Sequence, residues 1–219
     1  MAAFLSREIA LVPEQTVFLI VDVQQYSCSR QGGMFRGRKP VEMAAFDYYF
    51  KRLDQMVLPN IVRLQTACRA TGIEVMFTVI ESLTQDGRDR GLDYKISGFN
   101  IPRGSADAKI PAAVRPLGDE MTIPKTSSSV FNSTRIDYIL RNLGCRQLVI
   151  CGVLSDQCVE SAVRDACDLN YLVTLVPDAC ATYTEERQLA SLNTINGYCR
   201  QRDTDALIQE INSKTETIG

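Results

Sequence analysis

The stretch 147–161, QLVICGVLSDQCVES, limits the folds open to this chain more than any other. An apolar, partly β-branched run (Leu148, Val149, Ile150, Cys151) leads into a glycine-containing turn at 152–155. An amphipathic helix follows from near Asp156, with an apolar stripe through Val159, Ala162, Val163, Ala166, Cys167 and Leu169. A run without polar alternation is buried on both faces, as strands are in parallel sheets covered by crossover helices. The same rhythm recurs at 17–23 (VFLIVDV), 73–80 (IEVMFTVI), 121–125 (MTIPK) and 171–176 (YLVTLV), each set between helical or loop segments.

Between the first two runs lies a polar, glycine-bearing loop at 24–40, which contains neither a GxGxxG fingerprint nor a P-loop. Helical periodicity then extends over 43–70 through Phe46, Phe50, Leu53, Val57, Ile61, Leu64, Ala67 and Cys68. Pro59 interrupts it, which predicts one kinked helix or two in succession. Residues 81–118 form a turn-rich insertion. Helices are predicted over 133–143 (closed by Gly144), 185–198 and 205–211, and the PDACAT segment after the fifth run reads as a turn. The βαβα alternation, without linker or repeat, predicts one domain over 1–219. Its fold class is α/β, a doubly wound, Rossmann-like, mostly parallel sheet of five to six strands with helices on both faces.

Charge and cysteine usage remove several function classes. With 24 Lys+Arg against 26 Asp+Glu, spread without blocks, the chain lacks the basic footprint of a nucleic-acid or membrane-surface binder. No apolar run reaches the roughly 20 residues that span a bilayer. Arg7 and Glu8 stand where a signal peptide needs an apolar core, so a cytoplasmic location is expected. The eight cysteines are scattered with no CxxC pair, which reads as reduced thiols rather than a disulfide framework. Histidine is absent, which excludes Ser-His-Asp and Cys-His nucleophile systems and the usual histidine-bearing zinc sites, so neither metal nor cofactor is expected.

Three residues then carry the chemistry. Asp22, Lys125 and Cys158 each fall at or just past the C-terminal end of a predicted parallel strand, the side of an open α/β sheet where ligands bind. Each has a plainer reading: Asp22 as a cap or turn residue, Lys125 as an exposed charge, Cys158 as a small hydrophobe. Cys158 stands in the first turn of a helix, where free N–H groups and the helix dipole favour a thiolate. In the 81–118 insertion, Arg88, Arg90, Lys95 and Arg103 lie near Tyr94 and Phe99. Arg88 and Tyr94 are candidates to recognise an anionic small molecule, against the alternative of a solvated insertion or a subunit contact.

The blocks VDVQ at 21–24, PKTSSSVF at 124–131 and GVLSDQCVESAVRDA at 152–166 resemble those of the isochorismatase-like (cysteine hydrolase) superfamily, in the family's order over most of the chain. The resemblance implies that fold, a homodimer or homotetramer, and an Asp-Lys-Cys triad on Asp22, Lys125 and Cys158. It also implies a cis peptide before Leu154, an oxyanion hole from the N–H groups of Leu154 and Cys158, and pocket positions at Gln24, Ser129 and Phe131. The function it implies is a metal-independent amidohydrolase cleaving a C–N bond of a small amide, ureide or carbamoyl compound through a thioester. The absence of histidine departs from the nicotinamidase branch, while the cysteine favours C–N cleavage over the vinyl-ether hydrolysis of isochorismate to 2,3-dihydro-2,3-dihydroxybenzoate and pyruvate. Isochorismate hydrolysis stays open as an alternative, as does a non-catalytic redox-sensing or partner-binding module.

Overall fold

The computed structural model describes residues 6–215. The outermost residues of the domain expected at 1–219, including the first five of the segment read for a signal peptide, lie outside them. In chain order the elements are β1 (Thr16–Val21), α1 (Gln25–Cys28), α2 (Pro40–Met43), α3 (Asp47–Arg52), α4 (Leu58–Ala70), β2 (Glu74–Ile80) and α5 (Leu92–Ile96). Then follow β3 (Thr122–Lys125), α6 (Val130–Ser133), α7 (Ile136–Asn142), β4 (Gln147–Val153), α8 (Glu160–Asp168), β5 (Leu172–Ala181), α9 (Glu185–Thr194), β6 (Arg200–Gln201) and α10 (Thr204–Thr215). No helix among the described residues is long and apolar enough to cross a membrane.

The strands form one six-stranded sheet in the order β3-β2-β1-β4-β5-β6, and every pairing is parallel. β1 and β4 are buried at every position, which is why their sequences show no alternation. α4 packs with α10, and α6 packs with α7 and α8. The chain leaves β1 towards β2 and β3, then returns to place β4 on the other side of β1. This reversal between β1 and β4 opens a crevice at their C-terminal ends.

The 43–70 segment holds two helices in succession, one of the two readings of its proline: a π-helical turn at Leu53–Val57 joins α3 to α4 just before Pro59. Two local features differ from the sequence reading, each for a packing reason. Residues 177–181 are strand, not turn. The β4–β5 register slips between Ile150 and Gly152, and the bulged carbonyls are met from the side. Arg52 donates to Pro177 O (2.7 Å) and Cys180 O (2.8 Å), and Asn60 to Asp178 O (3.0 Å).

Gly152, expected in the turn after β4, is part of the strand itself. Its φ is +126°, and a Cβ there would lie 2.1 Å from the Val21 carbonyl oxygen. Only glycine lets β4 come this close to the last residue of β1. Gly152→Ala is therefore expected to lose more than about 3 kcal/mol of stability in a urea titration. An unchanged midpoint would show that the two strand ends can separate without cost.

Candidate active site

Asp22 follows directly on β1 in the left-handed region (φ +54°), a conformation aspartate tolerates better than most residues. Its N–H donates to Thr78 O at 3.1 Å, carrying the β1–β2 ladder one residue past the strand. Its carboxylate is thereby turned under the sheet end, where Oδ1 accepts the Thr78 hydroxyl at 2.6 Å. Thr78 was not singled out from the sequence, although a lone threonine in IEVMFTVI is the visible sign of a polar partner inside a buried strand.

Lys125, the last residue of β3, has a fully buried side chain. Its ammonium donates to Ser127 O (2.8 Å), Ser128 O (2.9 Å) and Cys158 Sγ (3.4 Å). Asp22 Oδ2 lies 2.7 Å from Nζ, a close charge-assisted contact, and takes no other partner among the described residues.

Cys158 stands in a π-helical turn at Ser155–Val159 between β4 and α8, with Gln157 N and Val159 N donating to Leu154 O at 3.1 and 3.2 Å. The peptide between Val153 and Leu154 is cis. α9 secures the turn: Ser155 Oγ donates to Gln188 Oε1 (2.6 Å) and Ser191 Oγ to Ser155 O (3.2 Å). Asp156 accepts from Thr182 Oγ1 (2.5 Å) and Arg187 Nε (2.6 Å). None of the α9 partners was a sequence candidate. They lie some thirty residues downstream in an ordinary-looking helix, as the Ser155 to Gln188 separation of 33 shows.

Burial pushes the Cys158 thiol up to about 12, with Lys125 pulling it down and Asp22 pushing it further up. That direction favours the thiol, against the pull towards thiolate expected of the first helical turn. Removal from water outweighs the turn and the lysine here. For Lys125, burial works against the charged form, but Asp22 and Cys158 more than offset it and the ammonium is held above its ordinary value.

A cavity of about 40 Å³ opens on Asp22 and Cys158. Gln24, Tyr26, Met34, Ile80, Phe99 and Leu154 are among its walls. Gln24 is on the wall, but its Nε2 donates to Ile80 O (3.0 Å) and Asp107 O (3.1 Å), and its Oε1 accepts from Ile80 N (2.6 Å). Tyr94 on α5 is buried against Phe99, with ring centroids 4.8 Å apart. Burial, then the charges of Cys158 and Asp22, raise the pKa of its hydroxyl. Leu154 and Cys158 are both among the residues that line the cavity.

Three sequence candidates lie apart from it. Ser129 caps α6, its Oγ accepting from Phe131 N at 3.2 Å. Phe131 packs against the Tyr171 ring at 6.1 Å. Arg88 is exposed and paired with Asp86 at 3.0 Å. Tyr26 in α1 and Met34 in the loop after it are wall residues with no mark in the sequence pattern to single them out. Among the described residues, no group of three or more His, Cys, Asp or Glu could hold a metal ion.

A family model described as the isochorismatase domain matches residues 16–205. The chain is 27% identical to the ureidoacrylate amidohydrolase RutB of Agrobacterium fabrum, over 87% of this chain and 91% of that protein. Its fold superposes on that of a cysteine hydrolase from Pseudomonas syringae pv. phaseolicola with a TM-score of 0.82, at 22% identity and covering 97% and 99% of the two chains. The N-carbamoylsarcosine amidase of Thermoplasma acidophilum follows with 0.68, at 20% identity over 87% and 97%.

Two outcomes follow from the buried pair and the raised thiol. Lys125→Met leaves the Asp22 carboxylate buried without its counter-ion and is expected to cost about 3–5 kcal/mol. The double variant with Asp22→Asn should cost less than the sum of the single changes, and strict additivity in urea titrations would disprove the coupling. Alkylation of Cys158, followed by peptide-resolved mass spectrometry, should accelerate about tenfold per pH unit and show no plateau below about pH 10, because the thiolate fraction keeps rising. A plateau near neutrality would mean a preformed thiolate.

Proposed function

The chain belongs to the isochorismatase family, and on that premise we propose that it is a metal-independent cysteine hydrolase cleaving a C–N bond of a small amide, ureide or carbamoyl compound. The observation that carries this reading is the shared contact of three buried groups: Lys125 Nζ lies 2.7 Å from Asp22 Oδ2 and 3.4 Å from Cys158 Sγ. A carboxylate base, a cation in contact with it and a thiol at one cavity are the parts of an activated nucleophile. The amidohydrolase and amidase names of the relatives support C–N cleavage, and the lack of any histidine leaves Asp22 as the proton carrier beside the thiol.

The chemistry runs as follows. Asp22 takes the thiol proton as Sγ attacks the substrate carbonyl carbon. Because the thiol is held at about 12, transfer and attack occur together rather than through a resting thiolate. Lys125 offsets the charge growing on sulfur. The N–H groups of Leu154 and Cys158 receive the tetrahedral oxyanion. Collapse expels the amine, which leaves with the proton from Asp22, and a thioester remains. Water then gives a proton to Asp22 as it attacks the thioester, and the thiol leaves with that proton.

A panel of small ureides and primary amides, with ureidoacrylate and isochorismate included, tests this by parallel detection of ammonia and pyruvate. Ammonia release should fall by about 10³-fold or more in Cys158→Ala and in Asp22→Asn. Pyruvate release that survives loss of Cys158 but not of Asp22 would replace the proposal with vinyl-ether hydrolysis.

A further inference from the structure

Resting on the hydrolase reading above, we propose that the substrate is an uncharged primary amide or terminal ureide with an apolar remainder, and that its carboxylate-bearing counterparts are discriminated against. The cavity at Cys158 measures about 40 Å³. At about 10–15 Å³ per water-sized site, that is room for three or four non-hydrogen atoms, the size of a carboxamide group. The remainder of a substrate must therefore pass between the surrounding side chains, of which Tyr26, Met34, Ile80, Phe99 and Leu154 offer mainly carbon.

The arginines attached to the cavity walls and the turn beside them hold other partners. Arg88 is paired with Asp86 at 3.0 Å, and Arg187 with Asp156. Arg90 donates to Gly87 O at 2.8 Å and Phe99 O at 2.6 Å, so it braces the insertion from behind the Phe99 wall. Arg38 donates to Met34 O at 3.1 Å and lies 5.1 Å from the Phe46 ring centroid. At the cavity floor the charge of Lys125 is matched by Asp22 at 2.7 Å.

A carboxylate entering here would give up hydration for carbon walls and a balanced ion pair, an exchange that disfavours anions strongly. A neutral amide gives up far less, and its carbonyl regains donors at Leu154 and Cys158. The expectation of an anionic substrate came from the basic residues of the insertion, of which Arg88 is paired with Asp86, Arg90 is held by backbone carbonyls, and neither is among the cavity walls.

Iodoacetamide and iodoacetate, near-equal in size, test this on the full-length protein without turnover. The first is a neutral primary amide and the second its anionic counterpart. Alkylation of Cys158 is followed by peptide-resolved mass spectrometry at about pH 10, to raise the thiolate fraction of the buried thiol, and referred to 2-mercaptoethanol in the same buffer. The iodoacetamide-to-iodoacetate rate ratio at Cys158 should exceed that of the free thiol by about tenfold or more. A ratio equal to the free thiol's, or a preference for iodoacetate, overturns the proposal. Met34→Arg, which sets a cation in the wall, should bring the ratio back towards the free-thiol value, and an unchanged ratio in that variant also counts against it. Labelling by neither reagent, with Cys167 labelled in the same sample, overturns the hydrolase reading together with this one, so the two failures are told apart.

Discussion

The buried ion pair between Asp22 and Lys125 is the constraint around which the rest of this structure is arranged. Two opposite charges removed from water are tolerated only with close contact and with their remaining hydrogen-bonding capacity met. The fold supplies most of that capacity from backbone and strand: Thr78 from β2, and the Ser127 and Ser128 carbonyls from the loop after β3. What it leaves over is a carboxylate oxygen whose close neighbour is the ammonium, and an ammonium 3.4 Å from the Cys158 sulfur.

The parallel sheet makes such an arrangement attainable from residues far apart in sequence. Asp22 and Cys158 follow neighbouring strands that meet at the reversal of strand order, and Gly152 lets those two strand ends close to a distance no side chain would permit. Lys125 comes from the edge strand and reaches across β2, which is possible because its stem is long and its tip is paired. The left-handed backbone at Asp22 redirects the carboxylate beneath the strand end instead of outward. Sheet topology sets the meeting place, and these two backbone adjustments set the distances.

Much of this was legible in the sequence, for physical reasons that also mark where reading stops. β1, β2 and β4 announce themselves because burial on both faces leaves no polar position to alternate with. The second half of β5 does not, since Pro177 and Asp178 have turn chemistry locally and are held in the sheet by Arg52 and Asn60 from another element. β6, two residues long and polar, carries no pattern at all. Asp22, Lys125 and Cys158 could be placed at one crevice from strand ends alone. Their protonation could not, because the thiol responds to how completely it is buried, a property of the assembled packing. Arg88 shows a different limit: its partner Asp86 is only two residues away, and local pairing cancels a charge that composition counts as available.

The grip of α9 on the turn that bears Cys158 also has a bearing on synthesis. A growing chain has Asp22, Lys125 and Cys158 in hand well before the ribosome delivers Gln188 and Ser191, the residues that hold Ser155 in place. Until α9 docks, the thiol belongs to an unsecured loop, with nothing to fix its distance from the pair that activates it. A chain broken off before residue 185 would carry all three groups without the helix that holds the Cys158 turn in place.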